Sequence, residues 1–181
     1  MKDCFPGNTY DTPAAGRRYP SDRFLFWTRW NLYPRFFRIV FQAKALAEAG
    51  RYDDEAWVQS SLGVIRDVEG CGGMFHIKGF DNVRKTPGPV VFVGNHMSTL
   101  ETLVLPSLIV PIKPASFVVK EKLTRGPVFG PVMRAVDPIT VTRRDPRKDL
   151  TVVLTQGAEN LARVRSIIIF PQSTRHVVFD P

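Results

Sequence analysis

The sequence predicts an α/β domain, a layered sheet flanked by helices. Short apolar runs at residues 90–93, 116–119 and 166–170 read as buried strands. Residues 101–110 and 148–164 carry helical patterns between them, and strands alternating with helices are what α/β layering looks like in a sequence. With 44% hydrophobic residues in 181, the chain can bury one sizeable core.

Residues 1–20 scatter Pro6, Gly7, Pro13, Gly16 and Pro20 among polar residues and predict a flexible lead. Ser21 or Asp22 is placed to cap a helix. The stretch 24–41 interleaves aromatics with arginine, and Pro34 is expected to break or kink it. Such a pattern suits a bilayer interface, where rings sit at headgroup level and guanidinium groups meet phosphates. The alternative is an ordinary amphipathic helix packed on the core. Gly50 is expected to end that segment, and Asp53 or Asp54 to cap a second helix carrying Trp57, Leu62, Ile65 and Val68. Gly70, Gly72 and Gly73 close it.

Further along, residues 74–77 read as a strand, 81–89 as a turn-rich link and 128–135 as a helix. Residues 139–141 read as a short strand before the 148–164 helix. Residues 21–72 thus form an N-terminal helical region and 73–181 the α/β domain.

A net charge of +8 favours anionic partners: nucleic acid, an anionic membrane surface or phosphorylated substrates. The basic residues are dispersed and no nucleic-acid recognition motif accompanies them, which speaks against nucleic acid. Cys4 and Cys71 lie in no CxxC or metal-ligand pattern, so thiols in a reducing compartment are expected. His76, His96 and His176 lie far apart, and no metal site is expected. Residues 1–20 lack the apolar core of a signal peptide. The most apolar stretch, 24–47, is interrupted by Arg29, Arg35, Arg38 and Lys44, so it does not read as a membrane span.

Three segments that follow strands carry chemistry, as the carboxyl ends of strands in α/β sheets usually do. The first runs from Gly94 through Asn95 and His96 to Glu101. An imidazole that takes a hydroxyl proton, beside a carboxylate that fixes its tautomer, is the minimum kit for activating an alcohol. On an ideal helix five steps would put the two side chains roughly 140° apart. They meet only if His96 precedes the first turn of the helix that bears Glu101. The second segment runs from Lys120 to Arg144 and offers cations for a phosphate. The third is Phe170-Pro171-Gln172-Ser173-Thr174-Arg175, where Arg175 is a second possible clamp.

In this order and at these distances the segments resemble the glycerolipid acyltransferase family, whose best-known members are 1-acylglycerol-3-phosphate acyltransferases. Asn95, His96 and Glu101 match its Asn-His-x4-Asp motif. Residues 139–141 with Arg143 match a strand ending in arginine. The Lys120 to Leu123 and Pro127 to Gly130 stretches resemble its Lys-x-x-Leu and Pro-x-x-Gly. Phe170, Pro171, Thr174 and Arg175 match Phe-Pro-Glu-Gly-Thr-Arg.

The resemblance implies a glycerolipid acyltransferase-like fold, with His96 as the base and Glu101 as its orienting carboxylate. Asn95, Lys120, Arg143, Gln172, Ser173, Thr174 and Arg175 would lie at the substrate. It implies transfer of an acyl group from acyl-CoA or acyl carrier protein to a lysophospholipid hydroxyl, most simply that of 1-acylglycerol-3-phosphate. It implies no cofactor beyond the thioester co-substrate. It also implies an N-terminal amphipathic element docked on the membrane, peripheral or monotopic; the thiols, the missing signal peptide and the expected donors point to the cytoplasmic face of the cell membrane. The sequence departs from the pattern at Glu101, which replaces aspartate, and at Gln172 and Ser173, which replace Glu-Gly. These departures leave open another lysolipid or an amino-acid lipid as acceptor. They also leave open a membrane-binding relative without activity. Because the chain ends at Pro181, before the family's fourth motif, the α/β domain is expected to be truncated at its C-terminus.

Overall fold

The computed structural model describes residues 1–14, 18–21 and 29–172. Four strands form a parallel sheet: β3 (Val91–Val93), β4 (Ala115–Lys120), β5 (Ile139–Val141) and β6 (Ser166–Ile169), in the order β3-β6-β4-β5. A separate antiparallel ribbon pairs β1 (Thr9–Asp11) with β2 (His76–Lys78). The helices are α1 (Leu32–Glu48), α2 (Asp54–Gly70), α3 (Phe80–Lys85), α4 (Leu100–Ile109), α5 (Lys122–Arg125), α6 (Phe129–Ala135) and α7 (Pro146–Ala162). A parallel sheet flanked by helices is the architecture expected from the alternating pattern.

Alternation along each strand sorts side chains onto two faces. Phe92, Ile168 and Phe117 stand side by side in register, on the face that α1, α2 and α4 cover. Trp57 of α2 meets Phe117 edge to face, with centroids 5.6 Å apart. On the other face α7 packs close on Ile167 at Gly157, where a Cβ would lie 3.1 Å from the isoleucine Cδ1 and would require that side chain to shift by a few tenths of an ångström. A second cluster joins Phe5, Val64, Ile65, Phe80 and Val104 beneath the ribbon.

Local chemistry accounts for the helix ends. Gly50 takes φ 65°, with Arg51 N–H donating to Leu46 O and Gly50 N–H to Ala47 O, a Schellman stop for α1. The Asp53 carboxylate caps α2 by accepting from Ala56 N–H at 2.9 Å. Pro106 interrupts the ladder of α4, and the buried Ser61 hydroxyl of α2 accepts the Ser107 N–H at 3.0 Å.

Several expectations are corrected. Within the expected flexible lead, residues 1–14 pack on the domain. Phe5 is buried, and the Arg84 guanidinium donates to Asp3 and to the carbonyls of Phe5 and Gly7. The strand expected at 74–77 runs instead over His76–Lys78, and it pairs with β1 in the ribbon. The expected link at 81–89 contains α3, which Gly79 opens at φ 95°. β3 is an edge strand, with Val93 69% exposed, so it is not buried on both faces. Pro34 does not break α1, because it sits in the first turn, where backbone N–H groups lack helical partners anyway.

In the aromatic stretch, residues 22–28 lie outside the described residues. Past them, α1 turns Val40 and Ala43 inward and leaves Tyr33, Phe37 and Phe41 exposed, and Trp30, in the turn just before it, is exposed as well. No helix among the described residues is long and apolar enough to cross a membrane.

Candidate active site

β3 delivers the chain to the site. Gly94 N–H still bonds Ile169 O at 3.1 Å, so the backbone leaves the sheet at a fixed point between β3 and β6. Asn95 follows, exposed, and then His96. Ser98 and Glu101 next form a capping box. Leu100 N–H donates to the Ser98 hydroxyl at 3.0 Å, while Ser98 N–H donates to Glu101 Oε1 at 2.8 Å. Met97 N–H adds a bond to the same oxygen at 2.7 Å, and the Ser98 hydroxyl donates to Oε2.

That cap aims the Glu101 carboxylate backwards at the imidazole, with His96 Nδ1 and Glu101 Oε1 2.9 Å apart. The five-residue spacing therefore closes in the way a turn entering a helix allows. Burial opposes ionisation of Glu101. Hydrogen bonds from the Ser98 hydroxyl and amide, from its own amide and from His96 outweigh burial and hold the carboxyl down at about 2. An ionised carboxylate only accepts, so the shared proton sits on Nδ1, and in the neutral imidazole this tautomer leaves the lone pair on Nε2.

Two further groups fix the histidine. Its ring lies on that of Phe170, with centroids 4.7 Å apart and planes 22° apart. Phe170 in turn stacks on Phe117, which reaches Trp57. The His96 N–H donates to Gln172 Oε1 at 2.6 Å, tying the third chemical segment to the first.

His96 and Arg143 both line a cavity of about 460 Å³. Its walls are apolar: Phe36 and Val40 of α1, Trp57 and Val64 of α2, Phe117 of β4, and Val132 of α6. The volume lies within the range of about 300–1,000 Å³ usual for small-molecule sites. A mostly apolar lining with a few polar groups, His96 and Arg143 among them, suits an amphiphile.

Arg143 sits where the chain leaves β5, and its backbone is left-handed at φ 59°. For a residue with a Cβ that conformation costs about 1 kcal/mol or more. The carboxylate of Asp149, in the first turn of α7, spans this turn. It accepts from Thr142 N–H at 2.8 Å, Thr142 Oγ1 at 3.0 Å and Arg143 N–H at 2.6 Å. The Thr142 amide foremost, and then the Arg143 amide, hold the Asp149 carboxyl below the usual carboxylate range.

The structure thus brings together His96, Glu101 and Gln172, and lines one cavity with both His96 and Arg143. Lys120 is exposed at the end of β4, opposite Val141 of β5, and does not line the cavity. Ser173, Thr174 and Arg175 lie outside the described residues. Sequence reasoning passed over Ser98, although Ser-x-x-Glu ahead of an apolar run is a capping-box signature. It also passed over the stacking role of Phe170 and the grip of Asp149, which no local pattern announces.

A family model described as Acyltransferase matches residues 75–177. A 1-acyl-sn-glycerol-3-phosphate acyltransferase of Pseudomonas aeruginosa is 30% identical over 125 residues, covering 69% of this chain and 46% of that protein. The chloroplastic 1-acyl-sn-glycerol-3-phosphate acyltransferase LPAT1 of Arabidopsis thaliana is 31% identical over 100 residues, covering 55% of this chain and 27% of that protein. The chain therefore spans less than half the length of these curated relatives. No solved structure matches it. With the matched region running from the ribbon through all four sheet strands, the chain belongs to the acyltransferase family.

Proposed function

We propose that the chain carries the acyltransferase centre of an enzyme that moves a fatty acyl group from a thioester, acyl-CoA or acyl carrier protein, to a lysophospholipid hydroxyl. The proposed acceptor is 1-acylglycerol-3-phosphate and the product phosphatidic acid. The observation that carries this reading is a His96–Glu101 pair opening on an apolar cavity that also holds an arginine.

In this reading Nε2 of His96 takes the hydroxyl proton as the acceptor oxygen bonds to the thioester carbonyl carbon. The tetrahedral intermediate collapses, the C–S bond breaks, and the imidazolium returns the proton to the departing sulfur. Glu101 keeps Nδ1 protonated and stabilises the transient cation. No acyl-enzyme is required. Arg143 pairs with the acceptor phosphate as a fork, and the cavity shelters alkyl chain. Asn95, Lys120, Ser173, Thr174 and Arg175 are assigned to substrate binding by resemblance alone.

The exposed rings of Trp30, Tyr33, Phe37 and Phe41 support docking at a bilayer interface, where an amphiphilic substrate enters the site without crossing water. The cytoplasmic face is proposed because both donors are cytoplasmic thioesters. Release of free thiol from palmitoyl-CoA tests the reading. It should depend on added 1-acylglycerol-3-phosphate and fall by about tenfold or more with the phosphate-free monoacylglycerol. Equal rates with the two acceptors would remove Arg143 from the account.

A further inference from the structure

We infer that Asp149 is a positioning residue for Arg143, acting through the backbone of the turn between β5 and α7. The inference rests on the reading of Arg143 as the contact for the acceptor phosphate.

The side chain of an arginine leaves its Cα in a direction that φ sets. At φ 59° Arg143 projects as few non-glycine residues do, and an arginine gains nothing local from that conformation. A strained residue persists only where its surroundings over-determine it. Here they do. One carboxylate gathers both consecutive amides, Thr142 and Arg143, and the Thr142 hydroxyl. That hydroxyl in turn accepts the Arg144 N–H at 3.2 Å, so three successive residues are pinned from a single side chain.

The anchor itself is held. Asp145 caps α7 by accepting from the Arg147 and Lys148 amides, and Asp149 N–H bonds Asp145 O at 2.9 Å. Gly157 seats the helix close on β6. The sheet therefore fixes α7, α7 fixes Asp149, and Asp149 fixes the direction in which Arg143 leaves the backbone. A plain capping role for Asp149 would need only the helix's own amides, yet its partners all lie upstream of the helix.

The discriminating experiment is a double-mutant cycle read by binding, so that turnover is not required. Affinity for 1-acylglycerol-3-phosphate and for monoacylglycerol in detergent micelles is measured by titration calorimetry. The proteins are the wild type, Arg143→Ala, Asp149→Asn and the double variant, each with its thermal midpoint. Asp149→Asn is expected to raise Kd for the phosphate-bearing ligand by about tenfold and to leave the uncharged one within about twofold. In the Arg143→Ala background it should add less than about twofold. Thr142→Val, which removes only the hydroxyl, should act in the same direction more weakly and serves if Asp149→Asn does not fold. Equal weakening of both ligands, full additivity with Arg143→Ala, or no change on Asp149→Asn would overturn the inference. If Arg143→Ala itself leaves phosphate binding intact, the underlying reading fails first, and that comparison shows it separately.

Discussion

The ring of His96 lies nearly parallel to that of Phe170, 4.7 Å away. The two come from the ends of neighbouring strands, β3 and β6, so the register of the sheet sets their distance. The stack continues through Phe117 to Trp57, so the face of the imidazole is braced by the hydrophobic core while its edge is braced by Glu101.

Phe170→Ala should therefore lower both stability and turnover. Truncating a largely buried phenylalanine costs about 3–5 kcal/mol, and the loosened imidazole should reduce kcat by about tenfold or more. Phe170→Leu fills most of the space without the flat face. It should recover most of the stability and less of the activity. Chemical denaturation beside initial rates separates the two, and full activity in Phe170→Leu would show that the stack does not orient the base.

Glu101→Gln replaces an acceptor-only group with an amide whose NH2 can face Nδ1 and impose the wrong tautomer. A loss on the order of 10³-fold in kcat is expected. The variant also has a pH signature. The folded carboxyl is held at about 2, below an ordinary glutamate at about 4.3. A depressed pKa contributes stability that is fully present above the unfolded value and lost as pH falls through the folded one. The stability gap between wild type and Glu101→Gln should thus be constant above about pH 5 and shrink between about pH 4.3 and 2. Urea unfolding across that range measures it, and a gap that widens towards acid would contradict the hydrogen-bonding account.

Val164 occupies the left-handed position after α7, at φ 60° and largely exposed. Arg165 N–H donates to Asn160 O and Val164 N–H to Leu161 O, so this is a Schellman stop with a β-branched residue where glycine fits best. Val164→Gly should stabilise the chain by about 0.5–1 kcal/mol without altering turnover, the relief of strain exceeding the entropy that glycine loses. A lower thermal midpoint would show that the valine makes contacts that outweigh its strain.

The sequence announced the sheet strands and the ends of the first two long helices, because each rests on chemistry within a few residues, whereas the pairing of His96 with Glu101 came from the family resemblance and not from their spacing. Gly50 and Asp53 act locally, and an apolar run such as residues 166–170 has few other uses. What it concealed depends on distant partners. Thr9–Asp11 is a strand only because residues 76–78 lie beside it. Periodicity could not say that residues 90–93 form an edge, since edge and centre differ only in neighbours. Pro34 looked like a break until the helix start placed it in the first turn. Asp149 lies only a few residues from Arg143, yet nothing in the string says that a helical carboxylate turns back on the loop before it.

The most direct test of the account is acceptor-dependent thiol release from palmitoyl-CoA by wild type and His96→Ala, both folded and both bound to vesicles. If His96 is the base, the variant should lose about 10²–10⁴-fold in kcat and keep its thermal midpoint and vesicle binding. Turnover in His96→Ala within about twofold of wild type would contradict the proposed chemistry at its centre.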